Sequence, residues 1–474
     1  MTSPSPRTLR EAWIALAGLS AVFLFEMLDN SILNVALPTI GRELHASTTA
    51  LQWVTGVYAV VFGGLMLAFG AIADSFGRRR IMLVGLVLLG AASLATAFVS
   101  TPEQLIAVRA VMGVAAAMTT PGSMALAFRL FDDDHLRVRA LTIITTAGLV
   151  GLAVAPTLGG LLLAVAPWQV LLLINVPIAA LAFTGIRSGI AHDNPSELHP
   201  DPVDVAGAAL GTATIVLALL TPTLFVSGSP LSWTALGAAI LSAVLFVVRE
   251  RTAQFPLLDL RLVALPLVSS GLAYKAAAGL ATAGLSYLVT LQLQFAWGWP
   301  PALAAVGMLP QVIVLLASGR FVGPFVERVG MDRAAWVSAA AVVAGLAVFG
   351  LLSEFGYPWV LVALVLVAAG MRVVGVVAAT NVIRGLPKDR TTIGVALVDT
   401  ASQVATAVGI AATGTILAAL FTGSLDAPTW TVDETAQFEA SMTIAGLTLT
   451  VFAAALVAFG ITRARRQVSA QAPN

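Results

Sequence analysis

The chain has 474 residues, of which 58% are hydrophobic and only 10% are charged, and its formal net charge is +1. A soluble domain usually carries about 25% charged residues. This composition therefore excludes an ordinary soluble protein, and the small net charge gives no reason to expect nucleic acid as a partner. Because the chain has no cysteine, disulfides, thiolate metal sites and a catalytic thiol are also excluded.

Signatures of enzymatic chemistry are missing as well. Neither of the two lysines, Lys275 and Lys388, follows a glycine, which excludes the Gly-Lys-Ser/Thr phosphate-binding loop. The chain has no Gly-x-Ser-x-Gly element, and its four histidines show no metal-ligand spacing. We therefore expect no enzyme, no metal and no cofactor.

Fourteen apolar runs follow one another along the chain, and a helix needs roughly 20 apolar residues to cross a bilayer. We expect an all-α polytopic membrane protein with fourteen spans. The approximate limits of the runs are 12–36, 50–72, 81–99, 104–128, 139–163, 168–187, 203–225, 233–248, 266–291, 301–320, 334–352, 357–382, 391–420 and 440–462.

The positive charges predict the orientation of these spans. With a cytoplasmic N-terminus, 21 of the 25 Lys and Arg residues lie in inside segments, and only Arg42 lies outside. The other three, Arg109, Lys275 and Arg372, lie within spans. Since positive charge collects in cytoplasmic loops, both termini are predicted to be cytoplasmic and the number of spans to be even.

A charged, glycine-rich stretch occurs twice. In Gly70–Arg80 and in Gly323–Arg333, an acid follows the first glycine by four residues, a second glycine by seven and an arginine by ten. Both copies fall on the predicted cytoplasmic side, which indicates parallel repeats of six spans. We expect an N-terminal six-helix bundle at 1–187, a connector with an inserted pair of transmembrane helices at 188–261, and a C-terminal six-helix bundle at 262–474.

The first copy resembles the loop signature of the major facilitator superfamily. Leu28–Pro38 resembles the first-span motif of its fourteen-span drug:proton antiporters, and Arg109–Gly113 resembles their fourth-span arginine motif. Gly151–Gly160 resembles their fifth-span antiporter motif, and Trp168–Pro177 also fits this subfamily. The resemblance covers the whole chain.

The resemblance implies two six-helix bundles around a central cavity and a proton-coupled antiporter of the multidrug efflux type. Such a protein exports small, largely apolar drugs or antibiotics across the bacterial cytoplasmic (inner) membrane by alternating access. Its partners are a small-molecule substrate, protons as the coupling ion and the lipid bilayer, and we expect a monomer. A dedicated exporter of one endogenous metabolite or antibiotic, an uptake symporter, and a non-transporting membrane sensor or scaffold stay open.

Two acids of the first span, Glu26 and Asp29, are three residues apart and share one helix face. An acid inside a bilayer costs a few kcal/mol or more unless it faces water or a partner. Burial and a neighbouring acid favour the protonated form of a carboxyl group, so both acids are candidates for proton coupling. The alternative is that one of them forms a structural ion pair with a buried arginine. The resemblance implies that Arg109 tunes the protonation of the first-span acid, and a structural role for Arg109 is equally open.

The second half offers three further ionisable residues. Asp399 and Arg372 lie in consecutive spans, so they are expected to form either a salt bridge or a second protonation or cation site. Lys275 lies near the middle of the ninth span. It could be neutral, could balance an acid, or could attract an anionic or zwitterionic substrate.

The repeated stretch and the fifth-span motif predict conformational contacts. We expect Gly70, Asp74, Gly77 and Arg78, with Glu327 and Gly330 in the second copy, to form a latch on the cytoplasmic side; the alternative is a topology signal. Gly151, Ala155 and Gly159 recur every four residues, so that two helix backbones can approach closely. The resemblance makes this face, together with Pro156 and Gly160, the seal between the halves.

A substrate cavity is predicted between the halves. Its candidate lining residues are Asn34, Met112, Lys275, Tyr287, Gln292 and Arg372.

Overall fold

The computed structural model describes residues 8–131, 133–193, 204–226, 228–386, 391–423 and 430–471, and no β-strand occurs among them. The predicted connector at 188–204 falls mostly outside this described part. The membrane helices are α1 (Trp13–Leu44), α2 (Thr48–Phe76), α3 (Arg78–Ala95), α4 (Pro102–Arg129), α5 (Asp134–Leu163), α6 (Gln169–Leu173 and Asn175–Gly189), α7 (Val205–Val226), α8 (Ser232–Thr252), α9 (Pro266–Leu291), α10 (Pro301–Ala317 and Gly319–Val329), α11 (Met331–Leu352), α12 (Tyr357–Gly385), α13 (Thr391–Leu420) and α14 (Val432–Gln471).

Of these helices, thirteen are long and apolar enough to cross a membrane, and α10 supplies a fourteenth span. Its two segments meet at an angle of 58°, at the Ser318–Gly319 pair, and Gly/Ser pairs are a common cause of sharp kinks. The predicted all-α fold with fourteen spans is confirmed. The cytoplasmic position of the termini and the three-part division of the chain stay predictions.

Local sequence explains where several helices begin. Thr101 caps α4 by accepting a hydrogen bond from the Gln104 amide at 3.4 Å, and Pro102 follows at the first helical position, where its missing N–H has no consequence. Asp133 caps α5 in the same way, from the Leu136 amide at 2.9 Å. These caps mark the ends of helices whose interiors are almost wholly apolar.

Helix packing divides the chain into two groups. In the N-terminal group, α1 packs against α4, α5 and α6, while α4 also packs against α2 and α3; in the C-terminal group, α9 packs against α12, α13 and α14, and α11 against α12 and α14. The groups meet mainly through two helix pairs, α2 with α13 and α5 with α10, with smaller contacts of α1 with α9 and α10. The inserted helices α7 and α8 pack on each other, and α7 also contacts both α2 and α13.

The contacts between the two groups lie toward one end of the molecule. We call this the outer end, where α1 ends and α2 begins, because the sequence predicts it to face away from the cytoplasm. There, Gln294 Nε2 donates to the carbonyl oxygen of Val35 at 3.1 Å and Gln52 Nε2 to that of Ala411 at 3.2 Å. The groups are thus joined at the outer end.

Candidate functional site

Asp29 on α1 is fully buried and held by two partners. Its Oδ2 atom accepts a hydrogen bond from Arg109 Nη1 of α4 at 2.5 Å, and its Oδ1 atom accepts one from Asn175 Nδ2 of α6 at 2.8 Å. Both carboxylate oxygens are therefore occupied by side chains of the N-terminal group.

Arg109 is only 2% exposed and is itself enclosed. Its Nε donates to the carbonyl oxygen of Val54 at 3.3 Å, and its guanidinium carbon lies 4.5 Å from the centre of the Tyr58 ring, a cation–π geometry. In this conformation Asp29 and Arg109 form the buried ion pair that the sequence left open as the structural alternative. Sequence reasoning missed Tyr58 and Asn175 as partners. Asn175 lies within the Trp168–Pro177 stretch that fits the subfamily, but this resemblance does not indicate that its side chain contacts Asp29.

Glu26 lies one turn before Asp29 and has a different environment. It is 5% exposed and accepts a hydrogen bond from Thr120 Oγ1 of α4 at 3.1 Å. It also interacts electrostatically with Asp399 and Lys275, both of which belong to the C-terminal group. Glu26 therefore lies close enough to the C-terminal group to interact with its charges, whereas both hydrogen-bond partners of Asp29 belong to the N-terminal group.

Lys275 and Asp399 lie at the same depth on adjacent helices. Lys275 follows the first residue of α9 by nine positions, and Asp399 follows the first residue of α13 by eight. One turn further along, a Cβ on Gly279 would lie 2.7 Å from the carbonyl oxygen of Ser402, so the two backbones approach closely there. Asp399 interacts electrostatically with Lys275, and both residues are half-buried. We call Glu26, Lys275 and Asp399 the central charge cluster.

Arg372 does not belong to this cluster. Within the described residues it forms no ion pair with Asp399. Its Nη2 atom instead lies beside Gly319, where a Cβ added to the glycine would be 3.0 Å from it. The expected salt bridge between Arg372 and Asp399 is therefore wrong. The physical reason is helix rotation: tight packing of α9 on α13 turns Asp399 toward Lys275, while Arg372 faces the bend in α10.

Three predicted cavity residues are enclosed in this conformation. Met112, Tyr287 and Gln292 are each at most 2% exposed, so they do not line an open cavity here; close helix packing covers them. Asn34 is half-buried, as are Lys275 and Arg372. Of the predicted lining residues, Lys275 alone belongs to the central charge cluster.

The first glycine-rich stretch forms a tight turn between α2 and α3. Gly77 has φ +104°, a backbone conformation that favours glycine, and Asp74 Oδ1 accepts a hydrogen bond from Arg78 Nε at 2.5 Å across the turn. The carboxylate of Asp193 accepts from the backbone amides of Arg79 and Arg80, each at 3.1 Å. The turn is therefore fixed within the N-terminal group.

The second copy repeats the backbone but not the ion pair. Gly330 has φ +86°, and α11 begins directly after it. Glu327 takes part in no ion pair with any residue that the structure describes. At Gly70 a Cβ would meet only Pro121 at 3.9 Å, so Gly70 is not needed for close approach here. The latch role of both copies stays a prediction.

The fifth-span motif packs against two different helices. A Cβ on Gly151 would lie 2.7 Å from the carbonyl oxygen of Leu24, and one on Gly159 would lie 3.0 Å from Ile32 Cγ1, so both glycines face α1 of the same group. Ala155 and Pro156 are buried between them. Gly160 alone points across the groups, since a Cβ there would lie 2.8 Å from the carbonyl oxygen of Pro301 on α10.

These features agree with comparisons to known proteins. The family model described as the Major Facilitator Superfamily matches residues 19–410. The chain is 29% identical to the multidrug efflux pump LfrA of Mycolicibacterium smegmatis, over 90% of this chain and 85% of that protein. It is also 29% identical to the methyl viologen resistance protein SmvA of Salmonella typhimurium, over 88% and 84%.

The fold matches a solved transporter. The POT family transporter PepTSo superposes with a TM-score of 0.70 at 16% identity, over 98% of this chain and all of that chain. The family match and the efflux relatives confirm the prediction of a transporter rather than an enzyme, and the protein is a multi-pass membrane exporter that handles small molecules. The chain belongs to the Major Facilitator Superfamily, among its multidrug efflux and drug resistance proteins.

Proposed function

We propose that this protein is a proton-coupled antiporter that exports small, largely apolar, basic drugs or antibiotics across the bacterial cytoplasmic membrane. Outward movement of the substrate is driven by inward movement of protons, and the exporter works as a monomer by alternating access. The central charge cluster carries this proposal, because it places two acids and one base where the two helix groups meet.

The charge balance of the cluster supports proton coupling. With all three groups ionised, Glu26 and Asp399 exceed Lys275 by one negative charge. Repulsion between the carboxylates is relieved when one of them binds a proton, or when a cationic substrate enters. A proton and a cation are then alternatives at one site, so that each biases the same two-state equilibrium in the opposite direction.

The local environments favour Glu26 and Asp399 over Asp29 as the proposed sites of proton coupling. Both oxygens of Asp29 are engaged by Arg109 and Asn175, so a proton there would have to break a buried ion pair. Asp399 and Lys275 are half-buried, so they are more accessible to solvent than the fully buried Asp29. Asp29 and Arg109 are proposed to hold α1, and hence Glu26, in place against α4 and α6.

The proposed substrate class follows from the same charges and from the relatives. The name of SmvA refers to methyl viologen, which is an organic dication. An excess negative charge in a mostly apolar environment suits a cation with a large apolar body, since each charged group needs an opposite charge once it leaves water.

The test uses purified protein in liposomes with an imposed pH gradient and an internal pH-sensitive dye. Methyl viologen and ethidium are the probes. We expect either probe to discharge the gradient in the native protein, and Glu26→Gln and Asp399→Asn to abolish the discharge. Glu103→Gln, an exposed acid at the start of α4, is the matched control and should behave like the native protein.

The outcomes separate the alternatives. Discharge that survives in both Glu26→Gln and Asp399→Asn but is lost in Asp29→Asn would overturn the assignment to the cluster. Probe accumulation in the same direction as proton flow would indicate a symporter. No discharge with any probe, alongside discharge with a single antibiotic from a panel, would indicate a dedicated exporter, and no response at all would indicate a sensor or scaffold.

A further inference from the structure

The inserted helix α7 lies in the groove between α2 and α13, the helix pair that joins the two groups. Near its outer end, Thr223 Oγ1 lies 3.5 Å from Gln52 Nε2 of α2 and 3.5 Å from Thr415 Oγ1 of α13. The same Gln52 amide donates to the carbonyl oxygen of Ala411 on α13 at 3.2 Å. One polar network thus connects the inserted pair to both groups.

Gln52 is enclosed at this junction. Its side chain is 2% exposed, and a Cβ on Gly414 of α13 would lie 2.6 Å from Gln52 Cγ. The absence of a side chain at Gly414 is what makes room for the glutamine. The Gln52 Nε2 atom donates across the pair, whereas its Oε1 atom has no hydrogen-bond partner among the described residues. A hydrogen bond that forms only when α2 and α13 are together stabilises that state, so it is the bond donated by Gln52 that favours the closed outer end.

Below the polar network, apolar side chains of the three helices form one small cluster. Its buried members are Ala59 and Val60 of α2, Leu219 of α7 and Ala407 of α13. Leu219 of the inserted helix therefore packs where α2 and α13 meet, against side chains of both groups. Separation of α2 from α13 would expose this cluster.

The inserted pair is attached more firmly to α2 than to α13. Thr212 Oγ1 donates to the carbonyl oxygen of Gly64 on α2 at 3.0 Å, near the middle of the membrane. Toward α13, the hydrogen-bond contact of α7 is Thr223 with Thr415, near the outer end. In any state where the outer end opens, α7 can remain on α2, while the contacts of Thr223 and Gln52 with α13 must break.

We propose that the inserted helix pair is a clasp that stabilises the conformation closed at the outer end, with Gln52 as its bridging residue. The clasp comprises Gln52, Thr223, Thr415 and the carbonyl of Ala411. It moves with the N-terminal group and sets how often the outer end opens. This role is separate from proton coupling, because it concerns the equilibrium between conformations in the absence of substrate.

The test measures the outer separation of the groups directly. Because the chain has no cysteine, Glu103→Cys on α4 and Glu354→Cys after α11, both exposed, give a clean pair of spin-label sites at the outer ends of the two groups. Double electron–electron resonance on the protein in lipid nanodiscs, without substrate, reports the population of the long, outer-open distance.

Gln52→Leu, Thr415→Val and Thr223→Val are the clasp variants. Each is expected to raise the ratio of outer-open to outer-closed molecules by roughly threefold to tenfold, as expected for the loss of one or two buried hydrogen bonds. Thr214→Val is the matched control: Thr214 on α7 bonds Ser242 on α8 at 3.2 Å, and among the described residues it forms no hydrogen bond with α13. It should leave the distances unchanged.

Equal distance distributions in the native protein and all three clasp variants would overturn the proposal, as would an equal shift in Thr214→Val. Monodisperse elution from size-exclusion chromatography identifies folded variants, and three independent substitutions keep the test decisive if one fails to fold. Loss of proton discharge with unchanged distances would instead concern the central charge cluster, so the two proposals fail separately.

Discussion

Asp29 and Arg109 form an ion pair 2.5 Å long in which neither side chain is more than 2% exposed. Asp74 and Arg78 form an equally short pair, but their side chains are 38% and 19% exposed. The two pairs have similar geometry and different solvent access. Removal of the acid should therefore lower the free energy of unfolding by different amounts in the two pairs.

We predict that Asp29→Ala destabilises the protein by about 3–5 kcal/mol, because it leaves a buried guanidinium without its counter-charge. Asp74→Ala should cost less than about 1 kcal/mol, since water replaces an exposed partner. Reversible unfolding in mixed micelles measures both. Similar small losses for the two variants would contradict a closed site around Asp29, and the double variant Asp29→Ala/Arg109→Leu should recover part of the lost stability.

The second glycine of each repeated stretch has a positive φ, and this pair gives a second prediction. Gly77 and Gly330 have φ values of +104° and +86°, so alanine is strained at both. A Cβ at Gly77 would also collide with the Asp193 carboxylate, whereas one at Gly330 would meet nothing within 4 Å. Gly77→Ala should therefore lower the thermal midpoint more than Gly330→Ala, and equal shifts would show that the capping contact of Asp193 contributes nothing.

Much of the fold could be predicted because each span carries its own signal. An apolar run of membrane-spanning length identifies a helix without any knowledge of its neighbours. The breaks inside the sixth and tenth spans were not predicted. The motif glycines were also informative, since Gly77 and Gly330 occupy backbone conformations that few other residues adopt.

The partners of the charged residues were harder to predict, because partner choice depends on helix rotation. Asn175 reaches Asp29 from 146 positions away; both lie in stretches that resemble family motifs, but a motif does not show which side chains meet. Asp399 was expected near Arg372 because their spans are consecutive, yet the close packing of Gly279 on Ser402 directs it to Lys275. On the fifth span, a rotation of about 100° per residue separates Gly159, which faces α1, from Gly160, which faces α10.

Gly160 gives a third prediction, because it is the fifth-span glycine that faces the other group. In Gly160→Val the added atoms would meet the backbone of Pro301 and Ala302 within 2.9 Å. Overpacking of this kind usually costs about 1–3 kcal/mol, and opening of the outer end relieves it here. The outer-open distance between labels at Glu103→Cys and Glu354→Cys should therefore become at least about fivefold more populated.

Gly237→Val on α8 is the matched control, since a Cβ at Gly237 meets nothing within 4 Å. It should leave the label distances unchanged. If Gly160→Val also leaves them unchanged while the protein stays folded, then the contact between α5 and α10 does not determine closure of the outer end.

The last prediction concerns the inner end of the inserted pair, where Arg249 Nε of α8 donates to both oxygens of Asp204 at 3.0 Å. Burial alone would raise the pKa of Asp204, but the bonds from Arg249 and from the Gly207 amide outweigh it, so the pKa lies below its ordinary value. A carboxyl whose pKa is lowered by folding stabilises the protein above its unfolded pKa of about 3.9 and loses this effect as the pH falls through the folded value.

Asp204→Asn should therefore be less stable than the native protein at pH 7 and at pH 5 by the same amount, and the difference should shrink toward pH 3. Unfolding midpoints at the three pH values measure this. Glu250, the neighbouring acid, accepts a hydrogen bond from the Leu258 amide at 2.8 Å and is not hydrogen-bonded to Arg249 among the described residues, so Glu250→Gln serves as the comparison for losing a carboxylate charge at the same junction. A difference that persists undiminished at pH 3 would mean that the charge of Asp204 is not what joins α7 to α8, and that the shape of its side chain is.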